Sequence, residues 1–397
     1  MSVAVSSETD PAAELLEQVR ALEPMVQQAS VAIETERRLP EGLVDELRGL
    51  GVFRLAVPRE YGGPEHDPLT QVQVVEELSR QDGSVGWCAM IGAAASYAAA
   101  FLEPEAARQV FGHRNSSLAG LIAPAGLAEQ VDGGYRISGR FRFASGSSHA
   151  SAMIGGCMVM SDGEPVRSDR GVPAYLVAVL EPDQVTMLDT WHTTGLAGTA
   201  SHDYDIDDAF VSAERTWDPS GAMRLPGPLY QYPPLFLCPH AGVPLGIARH
   251  AIDTVVALAE EKDLFPVAHR AAPGRLLRDD VRAQEAIARA EAMLGAARAY
   301  TYTTLGDIWQ LLRSGERPSS RQRGLYRAML TYVHELGRDV VELMYNTAST
   351  GAIYRSSPLD RAFRDMTTAC QHRMVNQKIY QPVGRVLLGM RSEDPFV

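Results

Sequence analysis

The apolar residues of this 397-residue chain change period twice, and that switch limits the fold more than any single motif. Before Ser116 they recur at helical spacing, as in Leu15, Leu16, Val19, Leu22 and Val26. From Ser116 to about Val211 they alternate in short runs separated by turn signals: YRISGRFRF after Asp132-Gly133-Gly134, then AMIGGCMVM, AYLVAVLEP and HDYDIDDAFV. Helical spacing then returns in four long stretches, at 237–262, 277–314, 319–350 and 359–389, with a kink or break expected at Pro382. The order predicts a mainly α chain with a central β-domain. Its parts are a flexible tail at 1–12, an N-terminal helical domain at 13–115, an antiparallel sandwich or barrel at 116–216, a proline-rich linker or lid at 217–236, and a C-terminal four-helix bundle at 237–397.

Local signals refine the helical part. Pro24 is placed to kink or split the first helix, Pro40 opens a second that Gly51 closes, and Ser84 is the expected N-cap of a helix running to Leu102. The greasy run Ala89–Leu102 is too short and alanine-rich to span a bilayer and reads as a buried helix. A net charge of −12 opposes nucleic acid and anionic membrane surfaces as partners. The cysteines Cys88, Cys157, Cys238 and Cys370 form no CxxC pair, so no metal site is expected, and no secretory leader is apparent; both fit a reducing cytoplasm.

One histidine stands out. If 359–389 is a single helix, Arg361, Asp365, Thr368, His372, Val375 and Ile379 share a face, with the imidazole where polar surface gives way to apolar. A pocket wall would look like this, and so would a core histidine.

Several strings, taken together, resemble the acyl-CoA dehydrogenase fold: PREYGGPEHDP, GRFRFASG, GLAGTASHDYDIDDAFV and the pair Arg364-Asp365. Positions 369–374, reading ACQHRM, lack the glutamate that such dehydrogenases use as base. Instead RDMTTACQH and RQDGSVGWC are similar to segments of the two-component, group D flavin-dependent monooxygenases on the same fold. The resemblance implies an oxygenase that receives FADH2 or FMNH2 from a separate flavin reductase, forms a C4a-hydroperoxyflavin with O2, and passes one oxygen atom to a small organic substrate. It also implies a homotetramer. FAD against FMN, and carbon against nitrogen or sulfur as the oxygenated atom, stay open.

By the same resemblance His372 and Ser145 are the catalytic residues, Ser145 contacting flavin N5. Phe143 and Trp87 accompany the flavin ring. Arg275, Arg282, Gln284, Thr350 and Gly351 are candidates for its nucleotide or phosphate end, offered to a neighbouring subunit. Tyr97, Trp191, His192 and His202 are candidates for the substrate pocket, and His149 faces either the site or solvent. An imidazole with a pKa near ~6.5 suits proton transfer at neutral pH. No GxGxxG or P-loop points to a nicotinamide site. Two other readings remain: a divergent acyl-CoA dehydrogenase with tightly bound FAD and Glu335 or Glu342 as base, and a flavin-free scaffold.

Overall fold

A computed structural model describes residues 10–168, 171–263, 276–392, 394 and 396–397. The first residues of the expected tail and candidate Arg275 lie outside them.

Six helices precede the sheet: α1 Pro11–Ala21, α2 Glu23–Glu36, α3 Glu41–Gly49, α4 Pro68–Gln81, α5 Gly83–Ser96 and α6 Pro104–Phe111. Pro24 does split the first helical stretch, since α2 begins one residue before it. The cap of α5 is Asp82 rather than Ser84. The Asp82 backbone is extended, and its carboxylate accepts from the Ser84 and Val85 amides at 2.8 and 3.2 Å.

Strands follow: β1 Leu118–Val131, β2 Gly134–Phe141, β3 Ala152–Ser161, β4 Glu164–Pro165, β5 Tyr175–Leu180, β6 Thr186–Leu188, β7 Asp203–Ser212 and β8 Thr216–Trp217. They join in one sheet of order β6-β7-β2-β1-β3-β5-β8, with β4 paired to β3. Every pairing is antiparallel except β1 with β3, which run parallel at the centre. Irregular register in β1 between Leu121 and Gly126 bends that long strand.

The C-terminal part comprises α7 Gly242–Glu261, α8 Val281–Arg313, α9 Ser320–Ala348, α10 Pro358–Ala369 and α11 Tyr380–Leu387. Residues 237–241, expected to begin the first bundle helix, belong instead to the 3-10 segment Pro233–Ala241 with Pro239 inside it, where proline offers no N–H to an α ladder. Although Pro233–Glu261 is long and apolar enough by composition to cross a membrane, most of it is buried against the other helices.

The single helix expected over 359–389 does not form. It ends at Ala369, the amides of Gln371 and His372 bond three residues back, and His372 itself is extended (φ −63°, ψ 132°). Val375 and Ile379 belong to separate 3-10 turns, so the helical-face argument holds for Arg361, Asp365 and Thr368 but not for His372. Pro382 breaks nothing; it is the third residue of α11, where the amide has no intrahelical partner.

Helix α10 fastens the three parts together through buried charge. Arg364 meets Glu34 of α2 at 2.7 Å and donates to the Thr194 carbonyl at 2.6 Å, while Arg361 reaches Glu34 at 3.2 Å and Asp82 at 3.5 Å. Asp365 accepts the Leu196 amide at 2.6 Å. Gly195 is required here because a Cβ on it would stand 2.1 Å from the Arg364 carbonyl oxygen. Burial, and then the neighbouring carboxylate, raise Asp365, while burial raises Asp82, opposed by Arg361.

Candidate active site

The loop after β2 is zipped to the GLAGTAS loop: the Ala144 amide bonds the His202 carbonyl at 2.9 Å, and the Gly146 amide bonds the Thr199 carbonyl at 2.8 Å. This holds Ser145 between the sheet and α5, 6% exposed. The Trp87 indole of α5 donates to the Ser145 hydroxyl at 3.1 Å. Ser145 and Ser201 hydroxyls lie 2.6 Å apart, Ser201 and Thr199 2.7 Å, and Thr199 donates to the Leu196 carbonyl at 2.8 Å.

The two ends of this chain set its direction. A carbonyl only accepts and an indole N–H only donates, so each hydroxyl passes its proton onward, Ser145 to Ser201 and Ser201 to Thr199. Ser145 therefore has its own proton committed and a lone pair remaining.

Phe143 sits two residues before Ser145 at φ 62°, a left-handed backbone unusual for an aromatic, with its ring 59% exposed. Its edge meets Trp191 at 6.3 Å. Trp191 is pinned by its indole to the Leu196 carbonyl at 3.0 Å and by its amide to His202 Nδ1 at 3.2 Å. His192 and His202 instead flank an exposed Arg37–Asp189 pair of 2.6 Å, so they belong to the outer rim.

On the other side of Trp87 is a cluster of imidazoles. His372 stands edge-on to Trp87 at 5.5 Å, and His240 lies 4.7 Å from His372, tilted by 31°, and 6.1 Å from Trp87. His334 of α9 completes the group, its Nδ1 2.7 Å from the Leu330 carbonyl. Burial pushes His372 and His334 down to about 4, with Arg327 adding at His372 and His372 at His334; His240 goes further the same way. All three therefore stay neutral into mildly acid pH, where the free imidazole expected from sequence would be charged. His372 Nδ1, His240 Nδ1 and His334 Nε2 are sealed from solvent without a hydrogen-bond partner, and so are two guanidinium nitrogens of Arg327 and the Tyr232 hydroxyl. Folded proteins leave few such atoms, and here several lie close together.

The remaining candidates fall elsewhere. Tyr97 is buried at the inner end of α5, its hydroxyl accepting from Gln71 at 3.3 Å and its ring edge-on to Tyr230. His149 faces inward, stacked on Phe53 at 4.6 Å. Arg282 and Gln284 are exposed on the first turn of α8, and Thr350 and Gly351 are exposed in the turn after α9. These two sets approach each other at Lys262, which bonds the Ala348 and Leu277 backbones. Lys262 ends the α7 helix that His240 precedes, so roughly 30 Å of helix separates them from the imidazoles.

Sequence reasoning missed His240, His334 and Arg327. The last two are separated from each other by two turns of one helix, with Thr331 between them on the same stripe, and that spacing was the available signal.

Residues 9–109 match the family model "Acyl-CoA dehydrogenase, N-terminal domain", and residues 238–377 match "Acyl-CoA dehydrogenase, C-terminal domain". The chain is 31% identical over 357 residues to an indole-3-acetate monooxygenase of Pseudomonas putida, covering 89% of this chain and 88% of that one. It is 28% identical to the oxygenase component of an FADH2-dependent resorcinol hydroxylase of Rhizobium, covering 98% of each. Among solved structures, a 3-HSA hydroxylase from Rhodococcus superposes with a TM-score of 0.88 at 25% identity, covering 97% of this chain and 99% of that one.

Proposed function

This chain belongs to the acyl-CoA dehydrogenase family, and we propose that it is the oxygenase component of a two-component flavin-dependent monooxygenase. It takes FADH2 or FMNH2 from a separate reductase and uses O2 to place one oxygen atom on a small organic substrate. The observation that carries this reading is the directed chain Trp87–Ser145–Ser201–Thr199. Flavin N5 bears a hydrogen only when reduced. With its own proton committed, Ser145 offers an acceptor, which suits the reduced ring.

The residues fit the cofactor in a second respect. Phe143 presents a strained, exposed aromatic face beside Ser145, the surface a flat ring system would cover. Bound reduced flavin supplies two electrons to O2, one oxygen atom going to substrate and the other to water. Ser145 orients the ring, while Trp87 and the imidazoles wall off water. His372, neutral at working pH, offers substrate a ring nitrogen as hydrogen-bond acceptor and cannot act as a standing acid.

The dehydrogenase alternative needs a carboxylate at this place. Glu335 is half-buried and instead takes the Tyr380 hydroxyl at 2.8 Å on one oxygen, the other being sealed without a partner, and Glu342 is exposed. Arg282, Gln284, Thr350 and Gly351 lie too far along the bundle for the ring site of their own chain, which favours service to a neighbouring copy in a homotetramer.

The test combines the protein, NADH, a flavin reductase and 18O2. We expect a nearly colourless protein that binds reduced flavin more tightly than oxidised and puts one labelled atom into product. A yellow protein with stoichiometric FAD that reduces an electron-transferring flavoprotein with an acyl-CoA would establish the dehydrogenase instead. A monomer by light scattering that still binds reduced flavin would sink the tetramer.

A further inference from the structure

Helix α9 brings a fixed positive charge to the imidazole wall that no described residue answers. Arg327, Thr331 and His334 lie at i, i+4 and i+7, one stripe of the helix. Arg327 is 3% exposed. Its Nη2 donates to the Met374 carbonyl at 2.9 Å, two residues from His372, while Nε and Nη1 have no partner. The Tyr232 hydroxyl, on a residue 6% exposed, also lacks one, and its ring meets Tyr326, the neighbour of Arg327, at 6.2 Å. Phe396 covers the guanidinium at 5.9 Å. Among the described residues, Asp394 is the carboxylate whose field reaches it, without forming an ion pair.

Taking a guanidinium out of water is costly unless an anion and hydrogen bonds replace the hydration. The neighbouring imidazoles are neutral and offer no negative charge. On the reading above, substrate meets His372, and Arg327 is tied to the Met374 carbonyl two residues from it. We propose that Arg327, assisted by the Tyr232 hydroxyl, is the receptor for a carboxylate on the substrate, so that the enzyme acts on aromatic acids in preference to neutral aromatics. Guanidinium suits this because, with Nη2 held by the Met374 carbonyl, its second amino group still presents donors in a fixed plane. Anchoring the acid end fixes which ring atom reaches the oxygen-transfer end beside His372.

The inference rests on the proposed function, but its test needs no turnover. Binding of indole-3-acetate, phenylacetate and benzoate is measured against their amides on the flavin-free protein by calorimetry, and on protein with reduced flavin under argon. At least one acid should bind about tenfold or more tightly than its amide. Arg327→Met should abolish that difference while amide binding persists, and Arg327→Lys should keep part of it. Wild-type protein that favours no acid over its amide overturns the proposal, even should Arg327→Met fail to fold. So does Arg327→Met that folds and keeps the preference. Acid preference without any oxygenation would leave this proposal standing and remove the monooxygenase reading. Oxygenation of neutral aromatics without acid preference would do the reverse.

Discussion

Within twelve residues the segment 361–372 enters two buried polar clusters of opposite character. Around Arg361, Arg364 and Asp365 most polar atoms meet a partner from another part of the chain: Glu34, Asp82, Thr194, Leu196. Around His372 the groups are neutral or cationic, and Nδ1 of His372, Nδ1 of His240, Nε2 of His334 and the Tyr232 hydroxyl have none. Satisfied buried polarity holds parts together, whereas unsatisfied buried polarity is tolerated where something other than the polypeptide is to be met.

Substitutions should separate the clusters. The largest stability effect is expected from Arg361→Leu, which leaves Asp82 buried beside Asp365 without its counter-charge and should cost about 3–5 kcal/mol in denaturant unfolding. His240→Leu removes a polar ring with an unmet nitrogen. It should be neutral or stabilising by up to about 1–3 kcal/mol, while oxygen transfer suffers. A large loss of stability in His240→Leu would erase the distinction.

Their pH dependences should oppose each other. The imidazoles of His372 and His334 lie near 4 instead of 6.5, so the unfolded chain binds more protons between those values. Their contribution is complete above about pH 6.5 and is lost as pH falls toward 4. The Asp82–Asp365 pair is shifted upward, so its contribution is lost as pH rises above the ordinary carboxylate range. Asp365→Asn, which keeps the bond from Leu196, should make stability rise more steeply between pH 4 and 7. A flatter curve would mean that the carboxyl pair is ionised throughout.

A smaller effect tests the directed hydroxyl chain. Thr199→Val deprives Ser201 of its acceptor, frees Ser201 to donate back to Ser145, and so frees the Ser145 proton. The preference for reduced over oxidised flavin should shrink by about two- to tenfold, the worth of one neutral hydrogen bond. An unchanged preference would show that Ser145 is not polarised this way.

The order of the parts was legible because a hydrophobic period of 3.6 or 2 survives any detail of packing. Ser145, Trp87 and His372 were found through strings resembling known segments, and the structure joins all three. The route to His372 was less sound. Periodicity carried α10 past Ala369, because no proline or glycine at 370–372 announces the turn that ends it. Arg327 and His334 stayed hidden because they share α9 with many charged residues that are exposed, and His240 because a lone polar residue in an apolar stretch carries no sign of what it faces. Only burial shows that they converge.

The central claim is that His372 serves oxygen transfer and not the fold. His372→Ala should be assayed with saturating reduced flavin, O2 and a turned-over substrate, measuring product and hydrogen peroxide together. Folding and reduced-flavin binding should be nearly intact and O2 uptake should continue, while product formation falls about 10²–10⁴-fold and the balance appears as peroxide. An unfolded variant, or one that makes product at the wild-type rate without added peroxide, would contradict the account.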